Sequence, residues 1–243
     1  YRLFAIPLNF ANNSYLLFIL LSTYLQYNVQ RGYMINQNNV HEERSQWLIK
    51  HKKTLLISVG LSLLIVLFLC NSLSWTSIGI MIGAEVVSTL YYLPPFNLRR
   101  HGYIKPFLIS SVWVISCSLV PLIENKLLTE HSIWFVVSQF CFISVLCLLF
   151  DIKDSVNDFL SGVNTYANKF GSNITKLMCL FFIAGGFISF YLFNHQSQFL
   201  VSSIVLRLLV ISTVIFTNEK KHSFYYYLWV DGLLIVQMML FLI

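Results

Sequence analysis

The run Ser132-Ile-Trp-Phe-Val-Val-Ser-Gln-Phe-Cys-Phe-Ile-Ser-Val-Leu-Cys-Leu-Leu-Phe150 passes without a break into Asp151-Ile-Lys-Asp154-Ser-Val-Asn-Asp158. Its first part is apolar over the length that crosses a bilayer as an α-helix, about 20 residues. Its second part sets three carboxylates at spacings of three and four, which on a continuing helix stacks them along one face. Carboxylates gathered beside a bilayer repel one another and lose hydration. They persist most easily where a hard divalent cation bridges them, and Mg²⁺, which keeps several waters and takes phosphate oxygens as ligands, suits such a place. This helix end therefore points to a diphosphate held through metal. The competing reading is a solvated helix end with scattered charges.

The rest of the chain repeats the apolar pattern. Of 243 residues, 57% are hydrophobic and 11% charged, and the mean hydropathy is +0.70, well outside the range of soluble domains. Apolar runs of spanning length lie at Phe4 to Tyr27, Thr54 to Leu73, Thr76 to Leu93, Ile104 to Ile123, Ser132 to Phe150, Ile174 to Phe193, Phe199 to Thr217 and Tyr225 to Ile243. The first is the weakest, because Pro7, Asn9, Asn12, Asn13 and Ser14 make its opening half polar. The expected architecture is an all-α polytopic membrane bundle, one domain over residues 1–243, with eight transmembrane helices.

Basic residues predict which way the bundle faces, since Lys and Arg collect in cytoplasmic loops. Arg31, Arg44, Lys50, Lys52 and Lys53 follow the first run, Arg99, Arg100 and Lys105 the third, Lys153, Lys169 and Lys176 the fifth, and Lys220 and Lys221 the seventh. The alternate loops hold only Lys126. The expected setting is a bacterial inner membrane with the aspartates facing the cytoplasm. The formal charge of +6 follows from this asymmetry; no basic-aromatic module for nucleic acid is present. The five cysteines lie in apolar runs without C-x-x-C spacing and read as small buried hydrophobes. The longest polar stretch is Gln26 to Lys53, within which His41 to Lys53 reads either as a basic amphipathic helix on the membrane surface or as a solvated loop.

Three charges interrupt apolar runs: Glu85, Arg207 and Asp231. An ionised group in hydrocarbon faces a partner or a cavity. Glu85 and Asp231 each offer Arg207 a countercharge, so the readings are a structural ion pair or the lining of a polar chamber.

The connection after the third run reads Tyr91-Tyr92-Leu-Pro-Pro-Phe-Asn-Leu-Arg99-Arg100-His-Gly-Tyr-Ile-Lys105. Its prolines end the helix, and its basic side chains either grip a pyrophosphate at the membrane surface or only enforce topology. This loop, the DxxDxxxD segment Asp151 to Asp158 and the continuation Gly162-Val-Asn-Thr-Tyr-Ala-Asn-Lys-Phe-Gly171 together resemble the UbiA superfamily of intramembrane prenyltransferases. The likeness covers most of the chain. It implies nine helices, the first of them upstream of Tyr1, and an isoprenyl diphosphate held by Mg²⁺ at two Asp-rich helix ends. By the resemblance Asp151, Asp154 and Asp158 hold one metal, Arg99, Arg100 and Lys105 bind the diphosphate, and Tyr91 or Tyr92 precedes them. Thr165 to Gly171 is a structural continuation.

The first Asp-rich motif is degenerate. Where it belongs stands Tyr27-Asn28-Val-Gln-Arg31-Gly-Tyr, with no carboxylate before Glu42. Asn28 offers a carbonyl oxygen, and Arg31 places a fixed cation where a second metal is expected. Two functions follow. One is transfer of a prenyl group from its diphosphate to a lipophilic acceptor; the other is an inactive UbiA-like scaffold or lipid-binding subunit beside other membrane subunits. Paired discontinuous helices of a secondary transporter are not seen.

Overall fold

The computed structural model describes residues 4, 10–35, 50–93, 96–193 and 197–242, and among them every regular element is helical. The long helices are α1 (Phe10–Ile35), α2 (Lys52–Ser72), α3 (Trp75–Tyr92), α4 (Lys105–Glu124), α5 (Glu130–Leu160), α7 (Ser172–Phe193), α8 (Ser197–Phe216) and α9 (Ser223–Phe241); α6 is the single turn and a half Tyr166–Phe170. Six of them, α2, α4, α5, α7, α8 and α9, are long and apolar enough to cross a membrane. The two remaining long helices form where the apolar pattern predicts them but are not among those six. α1 carries Gln26, Asn28 and Gln30, and α3 carries Glu85, Ser88 and Thr89, which dilute their apolar faces. α1 also continues as helix past Tyr27, because no proline or glycine interrupts it before Gly32. Most of the polar segment between α1 and α2, His41 to Ile49 included, lies outside the described residues.

The apolar surface is turned outward to a degree no soluble domain tolerates. Phe68 is 70% exposed, Phe181 75% and Leu177 66%, as expected of side chains whose solvent is lipid. Two interior clusters organise the bundle. One joins α5, α7, α8 and α9 through Leu148, Leu149, Phe190, Val210, Tyr226 and Leu233. The other joins α1, α2 and α4 through Tyr15, Phe18, Val66, Leu69 and Val120. Helices in lipid gain little from hydrophobic burial against each other, so close approach and hydrogen bonds hold them together. At the α5–α7 crossing Gly186 permits that approach: a Cβ there would stand 3.0 Å from the Cβ of Cys141.

Arg207 fastens the same crossing to α8. Its Nη2 donates to Gly186 O at 2.8 Å and Ser138 Oγ at 3.0 Å, and its Nη1 donates to Ser203 Oγ at 2.7 Å and Ser203 O at 3.2 Å. The guanidinium also lies over the rings of Phe187 and Phe190, 5.7 and 5.5 Å from their centroids. The expected ion pair with Glu85 or Asp231 does not form, since the described residues hold no carboxylate against Arg207. Two serine hydroxyls and the carbonyls of Gly186 and Ser203 take its Nη groups instead, while its buried Nε has no hydrogen-bond partner among the described residues. All five cysteines are free.

Candidate functional site

The acidic pole forms where the C-terminal end of α5 meets the N-terminal end of α4. α5 runs as unbroken helix through the three aspartates and stops in a Schellman arrangement. Val163 N donates to Asp158 O at 2.8 Å and Gly162 N to Phe159 O at 3.0 Å, with Gly162 at φ +72° as that stop requires. The continuation forms a capped helical turn. Thr165 caps α6 by accepting from Asn168 N at 3.3 Å, Asn168 Oδ1 accepts from Thr165 N at 2.9 Å, and Gly171 ends the turn at φ +85°.

The basic loop is seated on this corner by one close approach. A Cβ on Gly102 would overlap the carbonyl oxygen of Asn164, so only glycine lets the chain before α4 pass against the chain after α5. Tyr103 then packs edge-on against Tyr166, ring centroids 5.1 Å apart. Lys105 is thereby the first residue of α4, with Pro106 in the first turn where its missing N–H costs nothing.

Lys105 Nζ lies 2.9 Å from Asp151 Oδ1 and 2.9 Å from Asp158 Oδ2. Asp151 is 1% exposed and Asp158 6%. The reason for the triad is electrostatic. An ammonium at the N-terminus of α4 and the Asp158 carboxylate in the last turn of α5 both oppose a helix dipole, and both aspartates are buried, so the charges need one another. One ammonium against two carboxylates leaves a formal charge of −1. Asp151 Oδ2 is buried and has no hydrogen-bond partner.

Asp154 stands apart from the other two. Its Oδ1 is 3.2 Å from Lys153 Nζ, and Lys153 lies against α9, 3.1 Å from Tyr227 Oη and 4.6 Å from the centroid of that ring. The spacing that predicts three stacked carboxylates thus yields two that converge and one drawn aside by its sequence neighbour. Among the described residues no three His, Cys, Asp or Glu side chains come together as metal ligands.

The other predicted contacts spread around the pole. Arg99 and Arg100 occupy a 3₁₀ turn, Leu98–Arg100, and are exposed. Tyr92 is buried at the end of α3. Tyr91, its neighbour, lies within electrostatic reach of Lys105, Arg99, Asp151 and Asp158 and also lines a cavity of about 380 Å³ between α1, α3 and α4. Asn28 Nδ2 donates to Tyr24 O at 2.8 Å, within its own helix. The side chain of Arg31 falls outside the described residues, as do Pro94 and Pro95.

Sequence reasoning assigned Lys105 to phosphate and missed it as the counterion of two aspartates. The available signal was a lysine at a helix start and an aspartate at a helix end, each unfavourable alone. The class these features define is an integral membrane helical bundle with a buried ion triad at one pole. No protein family, characterised protein or solved structure matches the chain.

Proposed function

We propose that the chain is a UbiA-like membrane prenyltransferase, which binds an isoprenyl diphosphate with Mg²⁺ at the α4–α5 pole and transfers the prenyl group to a lipophilic acceptor. The observation that carries this reading is the pair Asp151 and Asp158, buried, facing one point and already holding a cation there. The unpartnered Asp151 Oδ2 is a further ligand atom in waiting. Mg²⁺ is commonly bound by one or two carboxylates together with water and substrate phosphates, so the two residues fit it once Lys105 turns away. Asp154 joins them by leaving Lys153.

When bound, Mg²⁺ would supply charge stabilisation for the departing diphosphate. The remaining roles fall to the chain. Lys105, released from the carboxylates, and the exposed Arg99 and Arg100 neutralise phosphate oxygens, guanidinium forks giving paired contacts and the ammonium a point charge. The allylic C–O bond breaks with its electron pair on the diphosphate. The acceptor's nucleophilic atom closes the new bond to the allylic carbon and gives up its proton to water or to the departing diphosphate. In this reading all eight long helices cross the membrane, with the pole on the cytoplasmic side.

The second reading is a UbiA-like scaffold or lipid-binding subunit of a larger membrane assembly. Its support is the same lysine: a carboxylate pair with its own ammonium is a stable structural device that requires no metal.

One experiment separates the two. Purified protein in detergent with Mg²⁺ should consume an isoprenyl diphosphate, and Asp151→Asn should lower that consumption by at least a hundredfold while the protein stays folded. If the parent neither binds nor consumes any prenyl diphosphate with Mg²⁺ or Mn²⁺, the scaffold reading replaces the enzyme.

A further inference from the structure

A second polar centre lies beside the ion triad but is not part of it. The cavity of about 380 Å³ between α1, α3 and α4 is lined by apolar side chains such as Ile19, Met81 and Trp113 interleaved with polar ones such as Gln26, Gln30 and Ser88, and neither Lys105, Asp151 nor Asp158 lines it. Its volume is in the range of small-molecule pockets. Two polar groups that face it lack partners. Ser22 Oγ is buried and makes no hydrogen bond, not even to its own helix. Glu85, in the middle of α3, has neither an ion pair nor a hydrogen bond among the described residues.

Ser22 Oγ gives up its water without gaining a hydrogen bond in return, and Glu85, exposed at the open side of the cavity, has no countercharge or donor beside it among the described residues. A third observation concerns the wall of the cavity. α4 makes a π turn at Ile115–Leu119, which includes the lining residues Ser116 and Cys117, and Tyr15 Oη donates to Ser116 O across from α1. π turns interrupt the regular helical ladder and recur at binding sites.

We propose that this cavity binds a lipid-soluble hydrogen-bond donor, a molecule with a hydrocarbon body and a single hydroxyl or amino head, whose head donates to Glu85 and is met by Ser22. The apolar walls take the body, and the head supplies the partner both side chains lack. The proposal does not depend on prenyl transfer at the α4–α5 pole.

The test uses the full chain in lipid nanodiscs and the fluorescence of Trp113, with Trp113→Phe to locate the signal. The probes are 1-decanol, decylamine and decyl methyl ether, alike in body and different in head. The expected result is saturable binding of the alcohol or the amine at least tenfold tighter than the ether, with the tighter of the two naming the head group. Glu85→Leu should erase that preference and Ser22→Ala should reduce it. Glu85 is exposed, so leucine there leaves the packing intact, and Glu85→Gln, which keeps an acceptor oxygen, should retain part of the preference. Equal binding of the three probes by the parent, a signal that survives Trp113→Phe unchanged, or a preference that survives Glu85→Leu would each overturn the proposal. Asp151→Asn should leave the preference untouched, so failure of the prenyl-transfer reading and failure of this one are distinguishable.

Discussion

Lys105 is the residue on which the most structure turns. Its ammonium is the shared neighbour of Asp151 and Asp158, and with it removed two buried carboxylates would face each other with nothing between them. Lys105→Met should therefore destabilise the protein by about 3 kcal/mol or more, the usual result of orphaning a buried ion partner. The triple variant Lys105→Met, Asp151→Asn, Asp158→Asn should recover most of that loss, because neutral amides remove the repulsion. Thermal unfolding in detergent measures both. A triple variant no more stable than Lys105→Met would show that the lysine acts through packing rather than charge. Asp154 tells the complementary lesson at this scale. Three carboxylates are plain in the sequence, yet which of them converge depends on where two lysines lie, and only Lys153 is near in sequence.

At the scale of elements, the pole exists because two helix ends are locked corner to corner. The α5 stop at Gly162, the α6 cap at Thr165 and the passage of Gly102 against Asn164 together set Lys105 at the height of Asp151 and Asp158. Gly102→Ala drives a methyl group into a backbone oxygen, an overlap that rotamer changes cannot relieve. It should cost about 1–3 kcal/mol, as overpacking does, and should loosen the Lys105 bridge with it. The measurement is the melting temperature beside that of Gly60→Ala, a glycine with open space around it, which should change little. Helix existence at this scale was legible beforehand, since long apolar runs in lipid have few alternatives to helix. Helix ends were less so. α1 runs on to Ile35 although its apolar face fades earlier, because polar residues with good helix propensity continue a helix as readily as apolar ones.

For the whole molecule, the apolar exterior and the two interior clusters describe a membrane helical bundle, and the alternation of basic loops predicts its orientation. Orientation can be read directly. In a background with the five cysteines replaced, Leu128→Cys, exposed between α4 and α5, should react with a membrane-impermeant maleimide on intact cells. Ser161→Cys, exposed beyond the aspartates, should react only after permeabilisation. The reverse pattern would invert the predicted orientation and turn the ion triad away from cytoplasmic diphosphates.

The amino-acid order alone determined that this is a helical membrane protein and where most of its helices lie, and it predicts that acidic and basic groups gather at connections on one side. These follow from local physics: the bilayer's thickness, the satisfaction of backbone groups inside each helix, and the charge of short loops. Tertiary structure alone decided the partners of the buried charges. Lys105 meets Asp151 and Asp158 from a distant part of the chain, Arg207 rests on serines and a glycine carbonyl, and Glu85 is left facing a cavity. A charge in hydrocarbon must find compensation, but which group supplies it depends on helix rotation and contact, and those are set by small residues at crossings and glycines at corners rather than by the charges themselves.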